Sequence, residues 1–217
     1  AAWTARTLEA HGVDAFAVAC LSEGVALRQA GISGMILVLG WTPAQQAPLL
    51  ARYGLTQTVA DEAHGLALSA CGVELKVHLA LDTGMHRLGI PTEDAAAIAR
   101  MFTLPHLTVA GGFSHLCGSD GDSDQDRAFT ANQLKTFYRA VEGLRRQGLD
   151  PGAVHIQASY GLCRLPPQPC RYARPGIALY GAASSPDAPL GVAGLEPVLS
   201  LRARVAGSYT HLTLPTT

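Results

Sequence analysis

The sequence predicts an α/β protein, an incomplete (β/α)8 barrel of the TIM type. Short aliphatic and β-branched runs alternate with longer stretches of helical periodicity along most of the 217 residues, which is typical of βαβ units and a parallel sheet. In addition, polar clusters follow one predicted strand after another, as expected where a site forms at the carboxyl ends of barrel strands. An open doubly wound sheet also fits the alternation of strands and helices.

Each predicted element has a local reason in the sequence. Strands are short apolar runs, and helices carry apolar residues every three or four positions. Glycine follows several helices as a stop signal, Pro43 lies in the first turn of one helix, and Asp61 caps another. In chain order the predicted elements are helix 5–11, strand 15–19, helix 21–30, strand 35–39, a helix from 42, strand 55–59, helix 61–69, strand 75–82, helix 92–102, strand 107–114, a helix with apolar positions from 129 to 144, strand 154–158 and strand 177–180.

The predicted strand at 75–82 has the clearest alternation. Its odd positions are all apolar and its even positions are mixed: Leu75, Val77, Leu79 and Leu81 alternate with Lys76, His78, Ala80 and Asp82. A period of two gives the strand one apolar face and one mixed face. A barrel with a partly polar interior accommodates the mixed face, which favours the barrel over the doubly wound sheet.

The composition favours a small-molecule partner. The formal net charge is -1, so no basic footprint for nucleic acid is present. No apolar run approaches the roughly 18 residues of a membrane span, and no signal peptide opens the chain. The five cysteines are scattered without a CxxC pair, which indicates reduced thiols in a cytoplasmic protein and no metal site.

Four polar clusters follow predicted strands in order along the chain. Arg87 projects from a glycine-bounded turn and can bind a carboxylate or phosphate bidentately. His115 follows the next strand and can stack on a flat ring or transfer a proton. Ser159 lies at a strand-to-helix junction, and the backbone of Gly176 and Ile177 can turn N–H groups towards a phosphate. Each residue alone also fits a structural role, but four in succession predict a site.

Two long motifs within these clusters resemble bacterial alanine racemases, the pyridoxal 5′-phosphate (PLP) enzymes of fold type III. They are DTGMHRLGI at 82–90 and RPGIALYG at 174–181, supported by the shorter runs FAVA at 16–19, EGVALR at 23–28 and ILVLG at 36–40. The runs FSHLC at 113–117 and HIQASYG at 155–161 are most similar to the catalytic domain of VanT-type serine/alanine racemases. The resemblance extends over about residues 5–205.

The resemblance implies a role for each matched position. Arg87 is the implied catalytic residue, between the cofactor's phenolic oxygen and the substrate carboxylate. His115 stacks on the pyridine ring, and Arg174 faces the pyridine nitrogen, which stays unprotonated beside an arginine. His155 behind Arg174 and Asp82 before the arginine turn are implied supports. The implied cofactor-binding set is Leu39, His115, Ser159, Arg174, Gly176 and Ile177.

The sequence also departs from the family pattern. Ala80 stands where the family often has lysine, and Ala158 where it often has asparagine before the phosphate-binding serine. The family's PLP lysine belongs to a K-A-x-A-Y-G-like run on the first barrel strand, expected upstream of Ala1, and the catalytic tyrosine belongs to a C-terminal β domain that we also expect to be missing. Lys76 is about 20 Å towards the wrong end of its strand, at about 3.3 Å per residue. Lys135 is expected at a solvent-exposed helix position.

The resemblance therefore implies a fragment of an alanine or serine racemase that acts on a small amino-acid substrate. The complete protein is expected to be a homodimer that supplies D-amino acids for peptidoglycan. A VanT-type protein would also have a membrane domain and a link to vancomycin resistance. A non-catalytic PLP-binding barrel protein and an unrelated phosphate-binding barrel remain alternatives.

The expected domains are a barrel part at 1–198, the start of a strand towards the β domain at 199–206, and a tail outside the family, a possible artefact, at 207–217.

Overall fold

The computed structural model describes residues 1–185 and 187–200, in which short strands alternate with helices. The elements are α1 Ala2–Ala10, β1 Ala15–Val18, α2 Leu21–Gln29, β2 Met35–Val38, α3 Ala47–Arg52, β3 Thr56–Val59, α4 Glu62–Ala70, β4 Leu75–Asp82, β5 Ile90–Pro91, α5 Ala95–Arg100, β6 Leu107–Phe113, α6 Asp124–Arg146, β7 Ala153–His155 and α7 Ser159–Arg164, with 3-10 turns at Ala44–Gln46 and Ile177–Tyr180.

The sheet is parallel, and its strands lie side by side in chain order. The order is β1-β2-β3-β4-β6-β7, with the two-residue β5 paired to β4. Ala158 and Arg174 form one further parallel bridge. A doubly wound sheet needs a point at which the strand order reverses, and the described strands contain none. The predicted class of an incomplete α/β barrel is therefore confirmed, and the doubly wound alternative is wrong.

The apolar core lies between the outer face of the sheet and the helices. Val77 and Leu79 of β4 point into it, together with Ile98 of α5 and Phe137 of α6, and all four side chains are buried. The longest helix, α6, begins with a capping box in which Ser123 and Asp126 exchange hydrogen bonds. The helices pack through this core against the apolar faces of the strands that position the site.

The inner face of the sheet is partly polar. The register pairs His78 with Thr58 on one side and with Gly111 on the other, and pairs Phe113 with His155. Residues paired in register share a face of the sheet, so both imidazoles lie inside the barrel. The mixed face predicted for β4 is therefore confirmed.

Several boundaries differ from the prediction. The strand expected at 177–180 is wrong: these residues form a 3-10 turn that ends at Gly181 in the left-handed conformation (φ 64°). Ile177, Leu179 and Tyr180 are largely exposed, because no neighbouring described strand pairs with this short apolar run. The strand expected at 154–158 ends at His155, since Ser159 already begins α7.

The remaining predictions concern the lysines, the membrane and the end of the chain. Lys135 is exposed, as expected, and Lys76 near the start of β4 is exposed as well. Among the described helices, none has the length and apolar character needed to cross a bilayer. The predictions for the tail at 207–217, and for all but the first two residues of 199–206, lie outside the described residues.

Candidate functional site

A cavity of about 500 Å³ opens at the carboxyl ends of the strands. Its wall comes from the segments that follow β2, β4, β6 and β7, which are far apart in sequence. Of the nine residues predicted for the site, eight line this one cavity: Leu39, Asp82, Arg87, His115, Ser159, Arg174, Gly176 and Ile177. The ninth, His155, is buried directly behind Arg174.

Arg174 forms the floor of the cavity. Its Nη1 donates to Nδ1 of His155 at 2.5 Å, and its Nη2 donates to the carbonyl oxygen of Ser114 at 2.7 Å. The guanidinium also lies over the Phe113 ring, with its carbon 5.2 Å from the ring centre. Burial lowers the pKa of Arg174 to about 10, so the side chain remains a cation at neutral pH and is held in place by three neighbours.

Behind Arg174, two histidines continue the hydrogen-bonded chain into the barrel. His155 Nε2 lies 2.9 Å from His78 Nδ1, and the His155 ring stacks on Phe113 at 4.9 Å with an interplanar angle of 6°. Burial and the charge of Arg174 lower the pKa of His155 to about 2 and that of His78 to about 4. Both imidazoles are therefore neutral at physiological pH.

Ser159 and the backbone after Arg174 form a small polar cradle. The Ser159 hydroxyl oxygen accepts hydrogen bonds from the N–H groups of Gly176, at 2.9 Å, and Ala178, at 3.2 Å. A Cβ built on Gly176 would meet no atom within 4 Å, so a ligand atom has room to approach the backbone. Backbone N–H groups and a hydroxyl that lie this close together are donors that suit an anion such as a phosphate.

The turn that carries Arg87 is organised by Asp82. One carboxylate oxygen of Asp82 accepts from the N–H groups of Gly84, at 2.9 Å, and His86, at 3.1 Å, and the other contacts His86 Nδ1 at 2.8 Å. Burial alone would raise the pKa of Asp82, but these hydrogen bonds hold it below its usual value. Arg87 itself is exposed at the cavity wall, and within the described residues it makes no hydrogen bond or ion pair.

His115 is half-buried and is held through its backbone by Gln133 of α6. The Gln133 amide nitrogen donates to the His115 carbonyl oxygen at 3.0 Å and to the Thr83 hydroxyl at 3.2 Å, and its amide oxygen accepts from the N–H of Cys117 at 3.2 Å. One buried side chain thus connects the loop after β4 with the loop after β6. Burial, followed by the charges of Arg174 and Arg87, lowers the pKa of His115 to about 4.

Comparison with known families identifies the relatives of this chain. The family model of the alanine racemase N-terminal domain matches residues 1–184, which is most of the chain. The chain belongs to the alanine racemase N-terminal domain family. The resemblance predicted from the motifs is therefore confirmed.

Individual relatives are racemases that are longer than this chain. A serine/alanine racemase of Enterococcus gallinarum is 40% identical over 203 residues, which is 93% of this chain and 29% of that protein. An alanine racemase of Carboxydothermus hydrogenoformans is 36% identical over 206 residues, or 93% of this chain and 55% of that protein. The solved structure of an alanine racemase from E. faecalis superposes with a TM-score of 0.80 at 28% identity, covering 91% of this chain and 53% of that one. The chain thus spans about half or less of the length of these relatives.

Two residues of this racemase-family site were missed by the sequence reasoning. His78 was noted only as a polar position on the mixed face of β4, and nothing in the sequence indicated its contact with His155, 77 residues away. Gln133 is fully buried on α6, in line with Thr130 and Phe137. A polar residue on the buried stripe of an amphipathic helix was the available signal, because such a group needs buried partners.

The two departures from the family pattern both lie at the cavity. Ala80 and Ala158 belong to its wall, and neither side chain can make a polar contact. The segment that carries Arg87 is organised by the bonds from the backbone of Gly84 and His86 to Asp82.

Proposed function

We propose that this chain is the PLP-binding part of an amino-acid racemase that interconverts the L- and D-forms of alanine or serine. The observation that carries the proposal is the convergence of Arg87, His115, Ser159 and Arg174 on one cavity in a chain of the alanine racemase family. Two cations, a neutral imidazole and a cradle of backbone N–H groups form a set that suits both a phosphorylated ring and an amino-acid carboxylate.

The residues around the cavity fit PLP. Ser159, with the backbone of Gly176 and Ile177, would hold the phosphate, His115 would lie against the ring, and Arg174 would face the ring nitrogen. When bound, PLP supplies an electron sink for the charge that develops on the substrate's α-carbon. Because Arg174 stays protonated, it can donate a hydrogen bond without giving up a proton, which moderates that sink and favours racemisation over other reactions.

Arg87 is proposed to bind and orient the substrate carboxylate. Its guanidinium makes no hydrogen bond or ion pair with the described residues, so both of its parallel N–H groups can address a carboxylate bidentately. The bonds that Asp82 makes to the backbone of the turn limit where Arg87 can reach. Holding the substrate in one orientation lowers the entropic part of the barrier.

The groups that remove and return the α-proton are proposed to come from outside this chain. Its two lysines, Lys76 and Lys135, are exposed and do not line the cavity. We therefore propose that the chain alone binds PLP at best and does not turn over. The complete protein would be a cytoplasmic or membrane-anchored homodimer that supplies D-amino acids for peptidoglycan, linked to vancomycin resistance if it is VanT-type, and the chain would contribute the barrel part at about 1–198.

A non-catalytic PLP-binding barrel protein is the second candidate. It would need the phosphate cradle and the ring contacts but no group for a substrate carboxylate. The unengaged guanidinium of Arg87 at the cavity wall therefore favours the racemase.

The test is a chiral assay of the complete protein that contains this chain, with added PLP and either L-alanine or L-serine. We expect the D-enantiomer of at least one of them. Arg87→Lys keeps the charge but loses the bidentate geometry, so kcat/KM should fall by about 100-fold or more, the usual loss for one preorganised donor. Arg145→Lys, at an exposed position of α6, is the matched control and should leave activity unchanged. Absence of both D-amino acids would contradict the racemase proposal.

A further inference from the structure

His78 lies deeper in the barrel than Ala80, which lines the cavity two residues further along β4. It occupies an inner position of β4, only 2% of it is exposed, and it does not line the cavity. Its contact with His155, however, makes it the end of a buried chain that runs from the Arg174 guanidinium through His155. The position of each proton in this chain follows from which groups can donate.

Arginine has N–H donors and no acceptor. His155 Nδ1, 2.5 Å from Arg174 Nη1, must therefore be unprotonated, and the single proton of the neutral His155 ring lies on Nε2. That Nε2–H points at His78 Nδ1, 2.9 Å away, so Nδ1 of His78 must in turn be the acceptor. Any other placement directs two N–H groups, or two lone pairs, at each other at one of the two contacts.

The surroundings keep both rings in this arrangement. Phe113 stacks on one face of His155, and Tyr172 approaches it edge-on at 6.2 Å. The His78 ring lies against the backbone of its register partner Gly111, where a Cβ would come within 2.4 Å of the imidazole. These neighbours restrict the rotation of both rings.

We propose that His78 is a positioning residue for Arg174. Its unprotonated Nδ1 holds the proton of His155 at Nε2, which keeps His155 Nδ1 available as the acceptor that orients the guanidinium at the cavity floor. Without that acceptor, His155 can carry its proton on Nδ1, and this N–H would oppose the N–H of Arg174. The consequence for a bound ring nitrogen rests on the proposed function, whereas the proton arrangement does not.

The test determines which ring nitrogen of each histidine carries a proton, in the chain without cofactor. In the protein labelled with ¹⁵N at histidine, two-bond ¹H–¹⁵N NMR correlations distinguish protonated from unprotonated ring nitrogens. Each of the eight histidines is assigned by a single substitution. We expect the Nε2–H form for both His78 and His155 at pH 7. An Nδ1–H form of His155 in the unsubstituted chain would overturn the proposal without any variant.

Variants then test whether His78 sets the form of His155. In His78→Leu we expect His155 to lose its single form, and in His78→Gln, whose amide oxygen can accept from Nε2–H, we expect the form to be restored. His64→Leu removes another buried histidine, on α4, whose ring contacts Thr42 and Ala60 instead, and should leave the His155 signals unchanged. If His155 keeps the same form in His78→Leu as in His64→Leu, the proposal is wrong. If His78→Leu does not fold, the histidine NMR signals of the unsubstituted protein and of His78→Gln test the proposal instead.

Non-covalent binding of PLP, followed by its absorbance, gives a separate readout. Loss of Arg174 orientation should weaken binding by about tenfold or more, the scale of one charged hydrogen bond, in His78→Leu but not in His64→Leu. If PLP fails to bind any of these proteins, the proposed cofactor role fails while the NMR result still decides the role of His78. If PLP binds His78→Leu as tightly as His64→Leu, the positioning role is contradicted.

Discussion

Replacing Gln133 by leucine tests whether one amide holds together the two loops that carry Arg87 and His115. Leucine is close to glutamine in size and is tolerated in a buried helix stripe, so the volume at this position changes little. What changes is the hydrogen bonding: the His115 carbonyl, the Thr83 hydroxyl and the Cys117 N–H each lose a partner.

The expected cost follows from the surroundings of those three groups. Thr83 is buried but keeps its 2.7 Å contact with Ser114, and the backbone of exposed Cys117 can bind water instead. A lost hydrogen bond costs about 1 kcal/mol, and a buried group left without a partner costs about 1–3 kcal/mol. The sum is about 3 kcal/mol, dominated by the half-buried His115 carbonyl.

Urea unfolding followed by circular dichroism measures this loss. With a slope of about 2 kcal/mol per molar, the midpoint should fall by about 1.5 M. Gln147→Leu at the exposed end of the same helix removes only a local bond to Gly143 and should change the free energy of unfolding by about 0.5 kcal/mol or less. If Gln133→Leu is as stable as Gln147→Leu, the amide does not connect the loops and our account of how His115 is held is wrong.

Three further measurements follow from the structure. Phe137→Ala removes a fully buried ring and should cost about 3–5 kcal/mol in urea unfolding, whereas the half-exposed Phe129→Ala should cost much less; equal losses would contradict the packing. The pKa values of His78 and His155 are lowered in the folded chain, to about 4 and about 2. On acidification these two histidines therefore bind protons at a higher pH in the unfolded chain than in the folded chain. The free energy of unfolding should therefore fall as the pH drops from about 6.5 to 4, by up to about 1.4 kcal/mol per pH unit for each histidine. If the free energy of unfolding of His78→Leu depends on pH as steeply as that of the unsubstituted chain, this expectation is wrong. Incubation with PLP and borohydride should leave no saturable label on Lys76, which mass spectrometry of peptides checks; specific labelling there would refute its distance from the cavity.

The sequence predicted the fold class because its strongest signals are local. The alternation in 75–82 gave both ends of β4 correctly, since a period of two is hard to produce by chance over eight residues. The run 177–180 is only four residues long and has no such period, and its conformation depends on whether a strand lies beside it. The residues of that run alone could not show that no described strand lies beside it.

The site was predictable in its members but not in its connections. The motifs predicted the site residues Arg87, His115, Ser159 and Arg174, and all four line one cavity. The contact between His78 and His155 depends on strand register, including the irregularity between Val77 and His78 where β4 meets β6. Register is set by packing across the whole sheet, so residue spacing within one segment could not give it.

Gly111 is constrained by more than its contact with His78. Any side chain at 111 would collide with the imidazole, and it would also meet the carbonyl oxygen of Ala153 at 2.6 Å. Replacing His78 with a smaller residue therefore does not by itself open position 111 to substitution. Substitution of Gly111 should be unfavourable whether position 78 is histidine or a smaller residue. Substitution of His78 should be unfavourable only where Arg174 must be oriented. In any relative that lacks this arginine, we expect position 78 to vary and position 111 to remain glycine.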